Sequence, residues 1–336
     1  MQADRGVRTP GRTAAVTPVF LLSAPRSGST LLQRLLAAHP RIHSMPETWL
    51  APAAFMGMSA QPAINAASTK WTRTALDETE RRAPGLRERI LRAAGAAMVD
   101  AFDAVSPDDA VYFLEKTPRN TLVLPQIIAA FPSAKFVFLW RNPLAIRASM
   151  NTTWSKGAWH FRCKADLYEG LAQMTDTRAR LAGRGFDIRY EALVENPQAQ
   201  IDALLDFLGL DPISVEDAFE SGGDAVRGGL GDPGLATDTR TGVQASNTGW
   251  VSQYGNPVRR LWARRYLAWL GDDRLRMIGC ERAALLAELA NARGQTTRLA
   301  SDLLRCAYAF VNERVLLEHW FRRRAGALSG EQLPLD

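Results

Sequence analysis

Residues that build metal centres and disulfide frameworks are scarce in this sequence. Its 336 residues include three cysteines and four histidines, and none of them falls in a HExxH or paired-cysteine spacing. An odd and sparse set of cysteines argues against a disulfide framework and favours a reducing compartment. We therefore predict neither a metal site nor a disulfide framework.

Long apolar runs are also absent. The chain has no run of about 18 apolar residues, the length that predicts a membrane-spanning helix. The N-terminal stretch MQADRGVRTPGRTAAVTP carries charges and prolines without the apolar core of a signal peptide. These two absences predict a cytoplasmic protein. The formal net charge of +6 suits an anionic ligand but does not choose among a nucleotide, an acidic glycan, nucleic acid and a membrane surface.

Four short apolar segments, rich in β-branched and aromatic residues, predict buried parallel strands. They are Val19–Ser23, Val111–Glu115, Phe136–Trp140 and Phe186–Tyr190. Helical patterns lie between them, at Thr30–Ala38, Arg87–Phe102, Leu122–Ala130, Pro143–Met150 and Lys164–Ala182. This alternation predicts an α/β fold with a mainly parallel sheet flanked by helices. Ligands of such folds bind beyond the carboxyl ends of the strands.

The chain after the last predicted strand is mostly helical. An amphipathic helix is predicted over Gln198–Leu208, and the pattern is helical again from Pro257 onward. Between them, residues 221–249 are rich in Gly, Asp, Thr and Ser and predict a long loop. The last helical pattern, Leu299–Arg324, ends in WFRRR. It either packs on the core with a solvated basic end or contacts a membrane or partner.

The turn Ala24–Thr30, with the sequence APRSGST, joins the first strand to the first helix. Backbone N–H groups at a helix N-terminus favour an anion. Gly28 permits a tight turn, and Arg26 adds a fixed positive charge. The turn lacks the lysine and leading glycine of GxxxxGK[ST], so a P-loop for a nucleoside triphosphate does not fit. A serine-rich helix cap without any ligand stays open as the alternative.

A second polar group follows the third predicted strand. Arg141 stands at the carboxyl end of FVFLW, and Ser149 lies about two helical turns further on. A strand with an RSGST turn, then a strand with an arginine, then a serine eight residues later resembles the sulfotransferase family. Members of this family bind 3′-phosphoadenosine-5′-phosphosulfate (PAPS). By this resemblance the turn holds the 5′-phosphosulfate, and Arg141 and Ser149 hold the 3′-phosphate.

Three further stretches extend the resemblance across Val19 to Leu210. AAHPRIHSMPETWLAP resembles a segment of tyrosylprotein sulfotransferases and their bacterial relatives that carries a glutamate base, here Glu47. FLEKTPRN resembles the lysine-bearing strand end of the family and places Lys116 there. RYEALVENP resembles a strand whose tyrosine contacts the adenosine part, here Tyr190.

Departures from the cytosolic small-molecule branch sharpen the assignment. That branch carries a lysine in the first turn and a histidine base after the second strand, whereas this chain has Arg26 and no matching histidine. Its RKGxxGxW stretch corresponds here to SNTGW, Ser246–Trp250, without the basic residues. Arg240 is a candidate for the missing charge. The branch with a glutamate base therefore fits better.

The resemblance implies a P-loop-NTPase-like sheet. We predict a sulfotransferase domain over residues 17–285 and a helical C-terminal extension over residues 286–336. The resemblance also implies transfer of a sulfuryl group from PAPS to a hydroxyl or amine, with no metal required. Glu47 would be the base, while Lys116 and Arg26 would stabilise charge on the leaving group. The residues expected to bind the nucleotide are Arg26, Ser27, Gly28, Ser29, Thr30, Arg141, Ser149 and Tyr190.

Each assignment has an ordinary structural alternative. Glu47 could simply cap the next helix, Lys116 could pair with Glu115, and Tyr190 could be a buried aromatic residue. Arg141 and Ser149 could be a helix-start arginine and a chance serine. The remaining aromatic candidates line either an acceptor site or the core: Trp49, Trp154, Trp159 and His160.

Rival functions are a small-molecule kinase, a nucleic-acid-binding module and a catalytically inactive PAP-binding relative. A kinase would need a P-loop lysine and Mg²⁺ ligands, and the sequence shows neither arrangement. It also contains no nucleic-acid-binding signature. An inactive relative should have lost Glu47, Lys116 or Arg26, and all three are present. The sequence contains no motif that indicates whether the acceptor is a glycan, a lipid, a peptide or a small metabolite. Peripheral membrane contact and a homodimer stay open.

Overall fold

A five-stranded, fully parallel sheet forms the centre of the protein. The computed structural model describes residues 14–56, 75–160, 163–221, 249–293 and 298–315. Within them the strand order is β2-β3-β1-β4-β5. The strands are Thr17–Leu22 (β1), Ile42–Ser44 (β2), Tyr112–Glu115 (β3), Lys135–Trp140 (β4) and Gly185–Arg189 (β5).

The chain order reverses across β1, which lies between β3 and β4. Phe20 of β1 pairs with Glu115 of β3, and Leu22 pairs with Phe138 of β4. The segments that leave β3 and β4 therefore start beside the turn that follows β1. Parallel sheets bind ligands at such a reversal, outside the carboxyl ends of the strands.

Alternate side chains of β1 enter two different apolar clusters, because successive residues of a strand face opposite sides. Val19 and Leu21 pack with helices on one face of the sheet. Phe20 and Leu22 pack with those on the other face. All four side chains are at most 1% exposed. Burial on both faces explains why β1 is continuously apolar rather than alternating.

Helices cover both faces of the sheet. They are Ser29–Ala37 (α1), Leu50–Phe55 (α2), Leu86–Val105 (α3), Leu124–Ala130 (α4), Pro143–Ser155 (α5), Leu171–Arg178 (α6), Tyr190–Glu195 (α7), Pro197–Leu208 (α8), Val215–Ser221 (α9), Pro257–Ile278 (α10), Arg282–Ala290 (α11) and Leu299–Val315 (α12). Residues 75–82 are helical as well. Two 3₁₀ turns, Pro118–Val123 and Trp250–Tyr254, and a π-helical turn, Ala165–Gly170, complete the described elements.

The predicted α/β class is confirmed. The ends of each predicted strand differ by at most two residues from those of an observed strand. The prediction missed β2, whose three residues include a histidine and a serine and give no apolar run. Tyr190 was wrongly placed in a strand, since it begins α7. β5 ends at Arg189 because its pairing partner on β4, Trp140, is the last residue of that strand.

Two predicted helices are interrupted. The helix predicted over Lys164–Ala182 contains the π-helical turn and ends at Arg178. α10 changes direction at Gly271, whose φ of 75° lies in the left-handed region that glycine adopts without a Cβ clash. None of the helices within the described residues is both long and apolar enough to cross a bilayer. The basic end predicted for the last helix, residues 316–324, lies outside the described residues.

Candidate functional site

The turn between β1 and α1 has a strained, tightly wound backbone. Arg26 and Gly28 both have positive φ values, of 68° and 92°, and Ser29 is the first residue of α1. The hydroxyl of Ser27 is fully buried and has no hydrogen-bond partner among the described residues. A positive φ at an arginine costs about 1–2 kcal/mol. Such strain and an unsatisfied hydroxyl are features of ligand sites.

Arg26, Arg141 and Ser149 lie in direct contact. Arg26 Nε donates a hydrogen bond to Ser149 Oγ at 3.3 Å. The carbonyl oxygen of Arg26 accepts one from Arg141 Nη1 at 2.6 Å. The structure thus brings the predicted 5′ group and the predicted 3′ group together at one edge of the sheet.

Arg141 is held at the carboxyl end of β4 by a helix cap. The side chain of Asn142 accepts hydrogen bonds from the backbone N–H groups of Leu144 and Ala145, at 2.9 and 3.4 Å. This cap turns the chain sharply from strand into α5. Arg141 is 5% exposed, and burial lowers the pKa of its guanidinium, with Arg26 acting in the same direction. Two nearby guanidinium groups make this edge a favourable place for an anion.

Tyr190 packs between Gly28 and Arg141. The Arg141 guanidinium carbon lies 4.1 Å from the centre of the Tyr190 ring. A Cβ built on Gly28 would lie 2.5 Å from Cδ2 of that ring. The tyrosine is 4% exposed. The structure therefore joins Tyr190 to the predicted site and also gives it the packing role of a core residue.

Glu47 and Lys116 form an ion pair beyond the ends of β2 and β3. Lys116 Nζ donates to Glu47 Oε1 at 2.9 Å, and the two side chains are 2% and 10% exposed. The indole N–H of Trp49 donates to the other carboxylate oxygen, Oε2, at 3.2 Å. Glu47 is thus oriented through both oxygens. Lys116 pairs with Glu47 rather than with Glu115, the partner that the structural alternative named.

Gln33 links this ion pair to the first turn. Its side-chain amide, on α1, donates to Ser44 Oγ at 2.9 Å and to the carbonyl oxygen of Met45 at 2.8 Å. Both acceptors lie just before Glu47 in the chain. The helix that begins at Ser29 therefore also positions the segment that carries Glu47.

Sequence reasoning missed a set of polar residues behind the ion pair. Glu115 is 1% exposed and accepts hydrogen bonds from the side chains of Thr48, Thr117 and Asn120. Burial raises the pKa of the Glu115 carboxyl, an effect that these three hydrogen bonds oppose. A carboxylate within an otherwise apolar strand was the only signal in the sequence that could have indicated this cluster.

The remaining aromatic candidates separate into core and surface. Trp159 is 4% exposed and packs on Trp262, 5.2 Å between ring centres. Trp154 is 43% exposed, and its ring contacts that of His160. Arg240 and residues 222–248, together with residues 57–74 and 161–162, lie outside the described residues.

Comparison with known proteins decides the family. A model of the sulfotransferase family matches residues 18–214, more than half of the chain. The chain belongs to the sulfotransferase family. The matched segment begins in β1 and includes every residue proposed for the site.

Several curated relatives share this segment. Nodulation protein NoeE of Sinorhizobium fredii is 30% identical over 58% of this chain and 51% of its own length. Protein-tyrosine sulfotransferase 2 of Gallus gallus is 24% identical over 57% of this chain and 51% of its own length. The chain spans about half the length of these two relatives. Among solved structures, the sulfotransferase domain from the Synechococcus PCC 7002 olefin synthase is 20% identical, with a TM-score of 0.45, over 70% of this chain and 88% of its own.

Proposed function

We propose that the protein transfers a sulfuryl group from PAPS to a hydroxyl or amine of an acceptor. The contact of Arg26 with both Arg141 and Ser149 carries this proposal. It joins a helix N-terminus, two guanidinium groups and a hydroxyl at the edge where a parallel sheet binds ligands. A nucleotide with phosphate groups at both its 5′ and 3′ ends matches that arrangement. Membership of the sulfotransferase family supports the same donor.

The 5′-phosphosulfate is assigned to the turn that begins α1. Gly28, Ser29 and Thr30 offer backbone N–H groups, and the hydroxyl groups of Ser27, Ser29 and Thr30 add further donors. The buried Ser27 hydroxyl lacks a partner among the described residues, which fits a donor awaiting a ligand oxygen. Gly28 keeps this turn tight, because its φ of 92° and the Tyr190 ring packed against it leave no room for a side chain.

Glu47 is proposed as the base. Its carboxylate takes the proton of the acceptor hydroxyl while that oxygen forms a bond to sulfur. The bond from sulfur to the bridging oxygen breaks at the same time, and the 3′,5′-bisphosphate leaves with the electron pair. A base positioned in this way contributes about 10²–10⁴-fold to the rate.

Lys116 and Arg26 are proposed to stabilise the charge that develops on the bridging oxygen. In the structure Lys116 is bound to Glu47. We propose that its ammonium group moves to the leaving oxygen when the donor is present, which also leaves Glu47 able to accept a proton. The reaction would then need no metal ion, because the two cations of the chain supply the positive charge.

Transfer of label from [³⁵S]PAPS tests the proposal. The purified protein is incubated with a panel of phenols, sugars, lipids and peptides, and released PAP is quantified in parallel. A phenol belongs in the panel because several relatives are named protein-tyrosine sulfotransferases. We expect labelled product with at least one acceptor class and undiminished turnover in EDTA. Failure to bind PAP by calorimetry, or label transfer from [γ-³²P]ATP instead, would overturn the proposal.

The proposal also includes a cytoplasmic location, the absence of nucleic acid among the partners, and an acceptor that is a glycan, lipid, peptide or small metabolite. A homodimer and peripheral membrane contact are included as well. The division at residues 285 and 286 also stays a prediction. α12, beyond that division, is joined to α10 through a buried ion pair between Asp302 and Arg259, at 2.7 Å.

A further inference from the structure

Glu115 has an unusual environment for a carboxylate at the end of a buried strand. Its side chain, on the last residue of β3, is 1% exposed. Oε1 accepts from Thr48 Oγ1 at 2.7 Å and from Thr117 Oγ1 at 2.9 Å. Oε2 accepts from Asn120 Nδ2 at 3.3 Å. A buried carboxyl needs several such donors to offset its lost hydration.

Two of the three donors to Glu115 are chain neighbours of the proposed base and of the lysine proposed to stabilise the leaving group. Thr48 directly follows Glu47, and Thr117 directly follows Lys116. The Glu115 carboxylate therefore joins the segment after β2 to the segment after β3. These two segments are far apart along the chain, so their relative position depends on contacts of this kind.

A further hydrogen bond closes the connection. The backbone N–H of Trp49 donates to Thr117 Oγ1 at 3.3 Å, while Thr117 donates its own proton to Glu115. Trp49 has a φ of 56°, a conformation that costs a bulky residue energy and persists only where its surroundings impose it. In this conformation its indole N–H reaches Glu47 Oε2.

We propose that Glu115 is a positioning residue that holds Glu47 opposite Lys116 through Thr48, Thr117 and the backbone of Trp49. An acceptor-only group suits this task because both threonine hydroxyl groups must donate towards the same oxygen. A glutamine would present an amide N–H₂ either to those hydroxyl groups or to the amide of Asn120. The consequence for catalysis rests on the proposed function, whereas the geometric consequence does not.

Thr48 provides the cleanest test, because its hydroxyl can be removed without a change in shape. Thr48→Val removes one donor to Glu115 and also the acceptor of the Leu50 backbone N–H at 3.4 Å. Thr48→Ser retains both, and Glu115→Gln disturbs all three donors to Glu115. Thr79→Val is the matched control, since the Thr79 hydroxyl is exposed and donates to the carbonyl oxygen of Ala75, one turn earlier in the same helix. We expect kcat to fall roughly 10²-fold in Thr48→Val and Glu115→Gln, the effect of a misplaced catalytic group. The KM for PAPS and the affinity for PAP should stay within about twofold of wild type, since the hydrogen bonds of both residues join the segments after β2 and β3 rather than the turn assigned to the nucleotide.

Recovery of turnover in Thr48→Ser separates positioning from bulk stability. Equal losses in Thr48→Val and Thr48→Ser, or a fall in PAP affinity that parallels the fall in kcat, would overturn the proposal. Wild-type turnover in Thr48→Val would overturn it as well. If Glu115→Gln fails to fold, the two Thr48 variants still decide.

Crystal structures of the variants provide a readout independent of activity. We expect the distance from Glu47 to Lys116 in Thr48→Val to exceed hydrogen-bond reach, about 3.2 Å, or Trp49 to leave its positive-φ conformation. An unchanged ion pair with unchanged Trp49 would refute the positioning role. If the wild-type protein transfers no sulfuryl group, the proposed function fails while this structural comparison still decides the role of Glu115.

Discussion

The ring of Tyr190 lies directly against the backbone of Gly28. A Cβ at position 28 would be 2.5 Å from Cδ2 of the ring and 2.7 Å from Cε2. The ring also packs against Arg141, whose guanidinium lies 4.1 Å from the ring centre. This second contact restricts any movement of the ring away from Gly28. The turn after β1, the end of β4 and the start of α7 are therefore fitted to one another through a single aromatic ring.

Gly28→Ala is expected to abolish PAP binding and to destabilise the protein. The new methyl group would meet the Tyr190 ring, and alanine at a φ of 92° would add backbone strain. Calorimetry with PAP and urea unfolding measure the two effects. Gly183→Ala is the matched control, because Gly183 has a φ of 74° but a Cβ added there would meet no atom of the described residues within 4 Å. If both variants lose about 1 kcal/mol of stability and both bind PAP normally, the contact between Tyr190 and Gly28 is not required for nucleotide binding.

Glu47→Gln is expected to lose most turnover and to keep PAP binding near normal. The substitution removes the proton acceptor but preserves the size of a side chain that contacts Lys116 and Trp49. Loss of a general base lowers kcat by about 10²–10⁴-fold. Single-turnover assays with [³⁵S]PAPS and calorimetry with PAP make the measurement. Retained turnover would exclude Glu47 as the base.

Arg141→Met is expected to raise the KM for PAPS more than the KM for a donor without the 3′-phosphate. Methionine keeps a long apolar side chain over the Tyr190 ring while removing the charge proposed to bind that phosphate. Adenosine 5′-phosphosulfate serves as the comparison donor. Equal changes with the two donors would show that Arg141 acts only by holding the carbonyl oxygen of Arg26.

Asp302→Asn is expected to destabilise the protein strongly. Asp302 is fully buried and binds Arg259 Nε at 2.7 Å, with side chains 0% and 5% exposed. Breaking a buried pair leaves an uncompensated charge and costs about 3–5 kcal/mol. Urea unfolding should show this loss. Asp272→Asn, which breaks the exposed pair of Asp272 with Arg282, should cost less than about 1 kcal/mol. Equal losses of stability in the two variants would contradict the view that the buried pair of Asp302 with Arg259 holds α12 against α10.

Stability is expected to fall as the pH drops below 6.5 because of His39. Burial lowers the pKa of this imidazole from its usual 6.5, so the unfolded chain takes up a proton before the folded one does. Unfolding is then favoured with falling pH, down to the lowered pKa of the folded protein. His39 Nδ1 accepts from the backbone N–H of Arg41, a hydrogen bond that protonation removes.

Urea unfolding at several pH values between about 5 and 7.5 tests this dependence. His39→Gln should show a smaller change in the free energy of unfolding over that range than the wild type. His43→Gln is a useful comparison, because burial also lowers the pKa of His43. An unchanged pH dependence in His39→Gln would assign the effect to other groups.

The α/β class, four of the five strands and the turn that begins α1 could all be predicted from the sequence. Each depends on a local signal, such as the apolar run of β1 or the glycine of APRSGST, that neighbouring residues create by themselves. β2 could not be predicted in this way, because three residues without an apolar run acquire strand structure only by pairing with β3. Tyr190 entered a helix instead of a strand for the same reason, since β4 offers no further partner.

The sequence by itself determined which residue types stand at the carboxyl ends of the strands: Arg26 after β1, Lys116 after β3 and Arg141 after β4. Only the tertiary structure decided their partners. Lys116 and its partner are 69 positions apart in the chain, and Arg26 and its partner are 123 apart, so these hydrogen bonds depend on how the strands align. In the structure Lys116 pairs with Glu47, and Arg26 donates to Ser149. The buried Glu115 accepts from the residues that follow Glu47 and Lys116. Strand composition is a local property, whereas the order of strands in a sheet is set by packing over the whole chain.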